Sequence, residues 1–256
     1  MKKIRFFIYA AVLGIVASCT MATTPREPSQ QEVVMNYLRF IKNEEYRQSN
    51  EIQKKEFVDK FEQDFYQMLD SIKLLTNWKG VIRNINQRET ANTIDLTFDI
   101  ECPIEDKYGK LSFSCQHLLD KANKDTDRIY QQVYAMYNGS PVVFDGFART
   151  KNNEIYWTGS RDLRTSYPDL GFWVSDIVKG SVKDTISADL RKACMLAFES
   201  VNLIRQEDEK KISKSEFDKR AAELKKENEA VGALLNEKEK DYLNTVTTDA
   251  FYNYNY

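Results

Sequence analysis

Ile94, Leu96, Phe98, Ile100 and Cys102 alternate without a break with Asp95, Thr97, Asp99 and Glu101. Successive side chains of a β-strand point to opposite faces, so this segment must bury one face and wet the other. A second alternating run, Leu111, Phe113 and Cys115 with Ser112, Ser114 and Gln116, ends at His117 in the same phase. Residues 103–110 between them contain Pro103 and Gly109 and are mostly polar, as a hairpin connection requires. Upstream, Trp78-Lys79-Gly80-Val81-Ile82 opens another strand, with Gly80 suited to a bulge or a tight bend. The period then changes. Ile129, Val133, Met136 and Tyr137 recur at helical spacing, with Asp125 or Thr126 as the cap and Asn138-Gly139 as the close. Strand-like segments resume at residues 142–147, 154–157 and 172–178.

Three strands, a short helix, then two or three strands is the order of an OB-fold, a five-stranded barrel. The Trp78-Lys79-Gly80-Val81 opening, the helix over 126–138 and Gly139-Ser140-Pro141-Val142-Val143-Phe144-Asp145-Gly146 resemble the envelope branch of the OB-like domains. Those domains are named for their likeness to tRNA-anticodon-binding modules. The likeness covers about a hundred residues and is one of pattern, not of motif. It implies a small OB-like antiparallel β-barrel over residues 77–182. Another small antiparallel sheet with one helix packed on it fits the same pattern.

Helical patterns flank this region, so the expected class is α+β. Residues 29–76 open on a capping box, Ser29-Gln30-Gln31-Glu32, followed by Val34, Tyr37, Leu38 and Ile41 on one face. After a break at 43–50, a second helix is expected over 51–76. Its stripe is Phe57, Phe61, Phe65, Met68, Ile72 and Leu75, a core-facing pattern. Residues 187–245 read as a helical hairpin: Ser187 caps a helix with Leu190, Cys194, Ala197, Phe198, Val201 and Ile204 on one face, and Ser213 begins another capping box. The second helix carries Phe217, Ala221, Leu224, Val231, Leu235 and Tyr242. Lys211-Ile212-Ser213-Lys214-Ser215-Glu216-Phe217 with Leu224 resembles a short bacterial oligomerisation module, which implies a homo-oligomer through these helices; an amphipathic hairpin packed on its own domain is the competing reading. Residues 246–256 are expected to fray.

Residues 1–18 have the form of a signal peptide. Lys2, Lys3 and Arg5 precede an eleven-residue apolar run at 6–16, too short for a bilayer span of roughly 20 residues. The run ends in Val16-Ala17-Ser18-Cys19, which resembles the bacterial lipobox. The resemblance implies that Val16, Ala17 and Ser18 are read by the signal peptidase and that Cys19 carries the lipid. Several acyl chains anchor stably where one does not. Thr20 rather than Asp after the Cys favours the outer membrane by the family's sorting rule. Residues 19–28 form the tether.

The chemistry on offer is sparse. His117 is the single histidine, which excludes any multi-histidine metal site and leaves one residue for every Ser-His or Cys-His arrangement. No GxGxxG or P-loop pattern occurs. Asp95, Asp99 and Glu101 fall on the wet side of their strand. Cys102, Cys115 and Cys194 lack zinc-site spacing, and the hairpin places Cys102 opposite Lys110 or Leu111, which argues against a Cys102–Cys115 disulfide. Residues 78–178 carry twelve basic and fourteen acidic side chains, the wrong balance for a single-strand groove. The expected function is therefore a non-catalytic binding or assembly module in the bacterial envelope. It needs no cofactor, binds no nucleic acid, is held to the membrane by its lipid and has an envelope protein as candidate partner. The alternative is an envelope hydrolase or an accessory subunit of one.

Overall fold

The structure, a computed structural model, describes residues 28–40, 48–105, 109–151, 154–158 and 168–255. Val16, Ala17, Ser18 and Cys19 lie outside the described residues.

Five strands close a barrel in the order β1-β2-β3-β7-β4: β1 (Leu75–Glu89), β2 (Thr93–Glu105), β3 (Gly109–Asp120), β4 (Pro141–Ala148) and β7 (Asp169–Lys179). The short strands β5 (Thr150–Lys151) and β6 (Glu154–Ile155) form a separate ladder. Helix α3 (Arg128–Tyr134) connects β3 to β4, as in an OB-fold. Four seams are antiparallel, as expected; the β3–β7 seam is parallel, with Ser112 opposite Asp169 and Cys115 opposite Phe172. That parallel seam closes the barrel and makes the sheet mixed. The β2–β3 register sets Cys102 opposite Leu111 and leaves both cysteines as buried free thiols, as the hairpin arithmetic required.

The alternating segments bury the side they should: Ile94, Leu96, Phe98, Ile100, Leu111, Phe113 and Cys115 are all core. Trp78, Phe113, Phe144 and Phe172 pack against one another with ring centroids 4.6–6.5 Å apart. Gly80 is required by close approach. A Cβ there would lie 2.6 Å from the Ile100 Cγ2.

Several boundaries differ from expectation. The second helix, α2 (Glu51–Ile72), stops before Leu75, which begins β1 instead. Helical and strand periods coincide over so short an apolar stretch, and Lys73 at φ 56° breaks the chain direction. Helix α3 begins after Asp127, not Asp125 or Thr126, because the Asp127 carboxylate accepts from the Tyr130 N–H at 2.7 Å. The C-terminal region holds three helices, α4 (Ala188–Asp208), α5 (Lys214–Gly232) and α6 (Glu237–Asn255). Asn236 and Glu239 form a reciprocal cap that starts α6. The segment expected to fray is helical to Asn255, with Val246 and Ala250 buried.

Helix α1 (Gln30–Phe40) opens on the expected box: Glu32 N–H donates to Ser29 Oγ and Ser29 N–H to the Glu32 carboxylate. The Gln31 amide pairs with the backbone of Lys79 in both directions, at 2.7 and 2.9 Å. It occupies the stretch of β1 before its pairing with β2 begins at Val81. Tyr37 of α1 stacks on Phe61 of α2 at 4.8 Å, and Phe61, Phe65 and Leu69 merge into the barrel core. The C-terminal helices build a second core from Leu190, Cys194, Leu224, Val231, Leu235 and Tyr242, seated on Phe147 and Trp173. Their apolar stripe is thus buried within the chain.

Candidate functional site

A cavity of about 570 Å³ opens where α2, the barrel mouth, the β5–β6 ladder, α4 and α6 meet. This is within the range of small-molecule sites, and junctions between packing units are where such sites form. Phe113, Phe147, Ala148 and Leu75 of the barrel line it together with Leu69 of α2. From α4 come Met195, Phe198, Val201, Asn202 and Arg205, whose spacing puts them on one helical face. Phe198 meets Phe147 edge-on at 5.0 Å. Thr150, Ile155, Ala250 and Asn253 complete the wall.

The lining holds two acidic residues, Asp70 and Glu199, and two basic ones, Lys73 and Arg205. Asp70 pairs with Lys73, Glu199 pairs with Arg220 from α5, and Arg205 donates to Asn202 Oδ1 at 2.6 Å. Asn253 Oδ1 accepts from the Thr150 N–H at 2.7 Å and so ties α6 to the ladder.

Beside the cavity wall runs a buried polar seam. Asp145 of β4 is fully buried. It accepts from the Asn77 N–H at 2.7 Å and the Tyr242 hydroxyl at 3.1 Å, and it pairs with Lys183. Lys183 also reaches Asp176 Oδ2 at 3.0 Å, and Asp176 pairs with Arg128 of α3. Ser175 Oγ donates to the Tyr242 hydroxyl at 3.2 Å. Burial, with the charge of Asp145 added, raises the Tyr242 phenol well above its ordinary range. Two anions and two cations are thus joined by hydrogen bonds, the condition under which buried charge is tolerated.

His117 behaves as a structural histidine. Its Nε2 lies 2.9 Å from both Asp127 carboxylate oxygens, which fixes the start of α3 on β3. Burial raises the Asp127 carboxyl, but hydrogen bonds from His117 and the Tyr130 N–H outweigh it and hold the group below the usual range. Asp249 of α6 is only partly covered as a residue, yet its Oδ2 is sealed and has no hydrogen-bond partner among the described residues. Burial pushes its carboxyl up to about 7; His117 pulls it down and the Asp127 charge adds to the rise.

The polar face of β2 is less wet than expected. Asp99 is half-buried and accepts from Ser114 Oγ at 3.1 Å and from the Asn84 amide at 2.7 Å. Ser114 Oγ also lies 3.2 Å from Asp169 Oδ1. Burial raises the Asp169 carboxyl, and the neighbouring Asp99 charge contributes. Asp95 accepts from Gln116 at 2.9 Å, and Glu101 pairs with Lys110. The parallel β3–β7 pairing, invisible to local periodicity, brings Asp169 to this group.

Burial raises the three thiols among the described residues, Cys194 to about 12 and Cys102 and Cys115 further, so none of these is a ready nucleophile or ligand. Among the described residues no three acidic, histidine or cysteine side chains are placed to hold a metal ion. No described helix is long and apolar enough to cross a membrane. The cavity carried no motif of its own, but several of its residues lay on apolar faces read from the sequence, among them Leu75 at the end of the stripe that begins at Phe57, and Phe198 and Val201 of the helix capped by Ser187. No family model and no curated protein sequence matches this chain.

Proposed function

We propose that this protein is a lipid-anchored lipoprotein of the bacterial envelope, held at the outer membrane through Cys19, whose barrel and helices form a non-catalytic binding module. The anchor rests on Val16-Ala17-Ser18-Cys19 directly behind an eleven-residue apolar run. The binding half rests on the cavity of about 570 Å³ at the junction of barrel and helices, whose charged lining groups are paired with one another or with the protein. Such a lining offers shape and apolar contact but no activated nucleophile or free base.

Cys19→Ala tests the anchor. The variant is expected to lose acyl-chain labelling and to leave the membrane fraction or keep its signal peptide. Equal lipid labelling of the variant and the unmodified protein would overturn the reading.

One observation favours the second reading, an envelope hydrolase or its accessory subunit: Ser114 sits between Asp99 and Asp169. A serine needs an adjacent base to act as a nucleophile, and both carboxylates lie within hydrogen-bond reach of its Oγ, Asp169 with its carboxyl raised by burial. Hydrolysis of p-nitrophenyl esters that disappears in Ser114→Ala would support this reading over the binding module.

A further inference from the structure

Two asparagines of the cavity lining, Asn202 and Asn253, have their side-chain oxygens engaged by the protein. Asn202 spends its side-chain oxygen on Arg205, at 2.6 Å, and Asn253 spends its oxygen on the Thr150 N–H, at 2.7 Å. The Thr150 N–H can only donate, so the orientation of the Asn253 amide is fixed by chemistry: its NH₂ is turned away from that bond. The same holds at Asn202, since a guanidinium has no acceptor to offer. Among the described residues neither NH₂ group has a protein partner. Both residues line the cavity, so both bring unpartnered amide donors to it.

Its charges add a second constraint. The lining holds two acidic residues, Asp70 and Glu199, and two basic ones, Lys73 and Arg205, so its formal charge sums to zero. Asp70 and Lys73 pair with each other, and Glu199 pairs with Arg220. A charged ligand would lose water on entering and meet no net opposite charge in the lining. A neutral ligand avoids that cost. The remaining wall is apolar or aromatic: Leu69, Phe113, Phe147, Met195, Phe198 and Val201. Burial of apolar surface then supplies affinity, while unmet donors reject a molecule that lacks an oxygen to receive them.

We infer that the cavity binds a neutral, predominantly apolar small molecule carrying a carbonyl or ether oxygen that accepts from Asn202 and Asn253. The inference rests on the binding-module reading and names the ligand class of that same cavity.

The test uses the full mature protein and three fluorescent probes. Prodan is neutral and apolar and carries a carbonyl; N-phenyl-1-naphthylamine is neutral without an acceptor oxygen; anilinonaphthalene sulfonate is anionic. Prodan is expected to bind saturably, at one molecule per protein, and more tightly than either of the others. Met195→Trp, at a residue about one-third exposed, fills the cavity from a position that tolerates bulk. It is expected to weaken Prodan at least about tenfold with the melting temperature unchanged. Asn202→Leu is expected to erase the preference for Prodan over N-phenyl-1-naphthylamine while leaving the latter's affinity intact. Preference for the anionic probe, or Prodan binding indifferent to Met195→Trp, would overturn the inference. If no probe saturates but an envelope protein crosslinked to the unmodified chain is lost in Met195→Trp, the small-molecule class falls and the binding module stands. If no probe and no crosslinked partner depends on this cavity, both fall.

Discussion

The two helical flanks are held to the barrel in different ways. Helices α1 and α2 extend the barrel's own core, with Val34, Leu38, Phe61 and Phe65 joining Trp78, Phe98 and Phe113 in one apolar cluster. Helices α4–α6 form a separate cluster on the barrel's outer side and are fastened there by Asp145, Lys183, Asp176 and Tyr242. Apolar packing is non-directional and accepts many near-equivalent arrangements. A buried charge network accepts very few, because each displaced partner leaves a charge without compensation. The N-terminal flank adds backbone pairing of Gln31 with Lys79 to its apolar packing, whereas the C-terminal flank adds buried charge, and the cavity lies between the two.

Two substitutions of similar size sharpen this contrast. Phe98 is 1% exposed in the barrel core, and Phe98→Ala is expected to cost about 3–5 kcal/mol. Asp145→Ala leaves Lys183 buried against Asp176 alone and is expected to cost about 3–5 kcal/mol as well. The difference lies in rescue. Adding Lys183→Met to Asp145→Ala is expected to recover much of the loss, because the orphaned cation goes with it, whereas no polar change rescues Phe98→Ala. Denaturation midpoints of the single and double variants read this out. A double variant as unstable as the sum of its parts would make the seam ordinary packing.

A smaller effect concerns pH. The Asp249 carboxyl is raised to about 7 in the folded chain, above the ordinary carboxyl value near 4. Its folded form holds the proton more tightly than the unfolded one. The stability this gives is full below about pH 4 and is lost as pH rises through about 7. Stability is expected to fall between about pH 4 and pH 7 for the unmodified chain, and less steeply in Asp249→Asn, which cannot ionise. Parallel slopes in urea melts would place Asp249 in open solvent.

The smallest effect is expected at Asp99. Asp99→Asn removes the like charge beside Asp169 and keeps an oxygen for Ser114, so stability is expected to change by no more than roughly 0.5 kcal/mol. The informative readout is Asp169, whose carboxyl is expected to move down toward its ordinary value in a carboxylate NMR titration. An unmoved Asp169 would mean that burial alone sets it.

The barrel was legible because strand periodicity is local: residues 94–102 and 111–117 announce both their conformation and their buried face, and the connection between them sets the hairpin register to within one residue, Cys102 falling opposite Leu111. Capping was legible for the same reason at Ser29, Ser187 and Ser213. What could not be read depends on pairing at a distance. The parallel β3–β7 seam joins Ser114 to Asp169 across 55 positions. Asp145 meets Tyr242 across 97. Asn253 reaches Thr150 across 103. Asp145 sits in a run of otherwise apolar residues in β4, the one local sign that a buried charge awaited partners, but nothing in the sequence named them. The cavity was hidden for a further reason: its walls are ordinary apolar residues, and a void left by packing has no spacing of its own.

Native mass spectrometry of the protein released from its own membranes addresses both the proposed lipid anchor and the proposed ligand cavity at once. The result expected is a chain beginning at Cys19 with added acyl mass, carrying one neutral small molecule that is absent when Met195→Trp is prepared the same way. A chain without acyl mass and with nothing bound, or a bound species unaffected by Met195→Trp, would contradict the proposal.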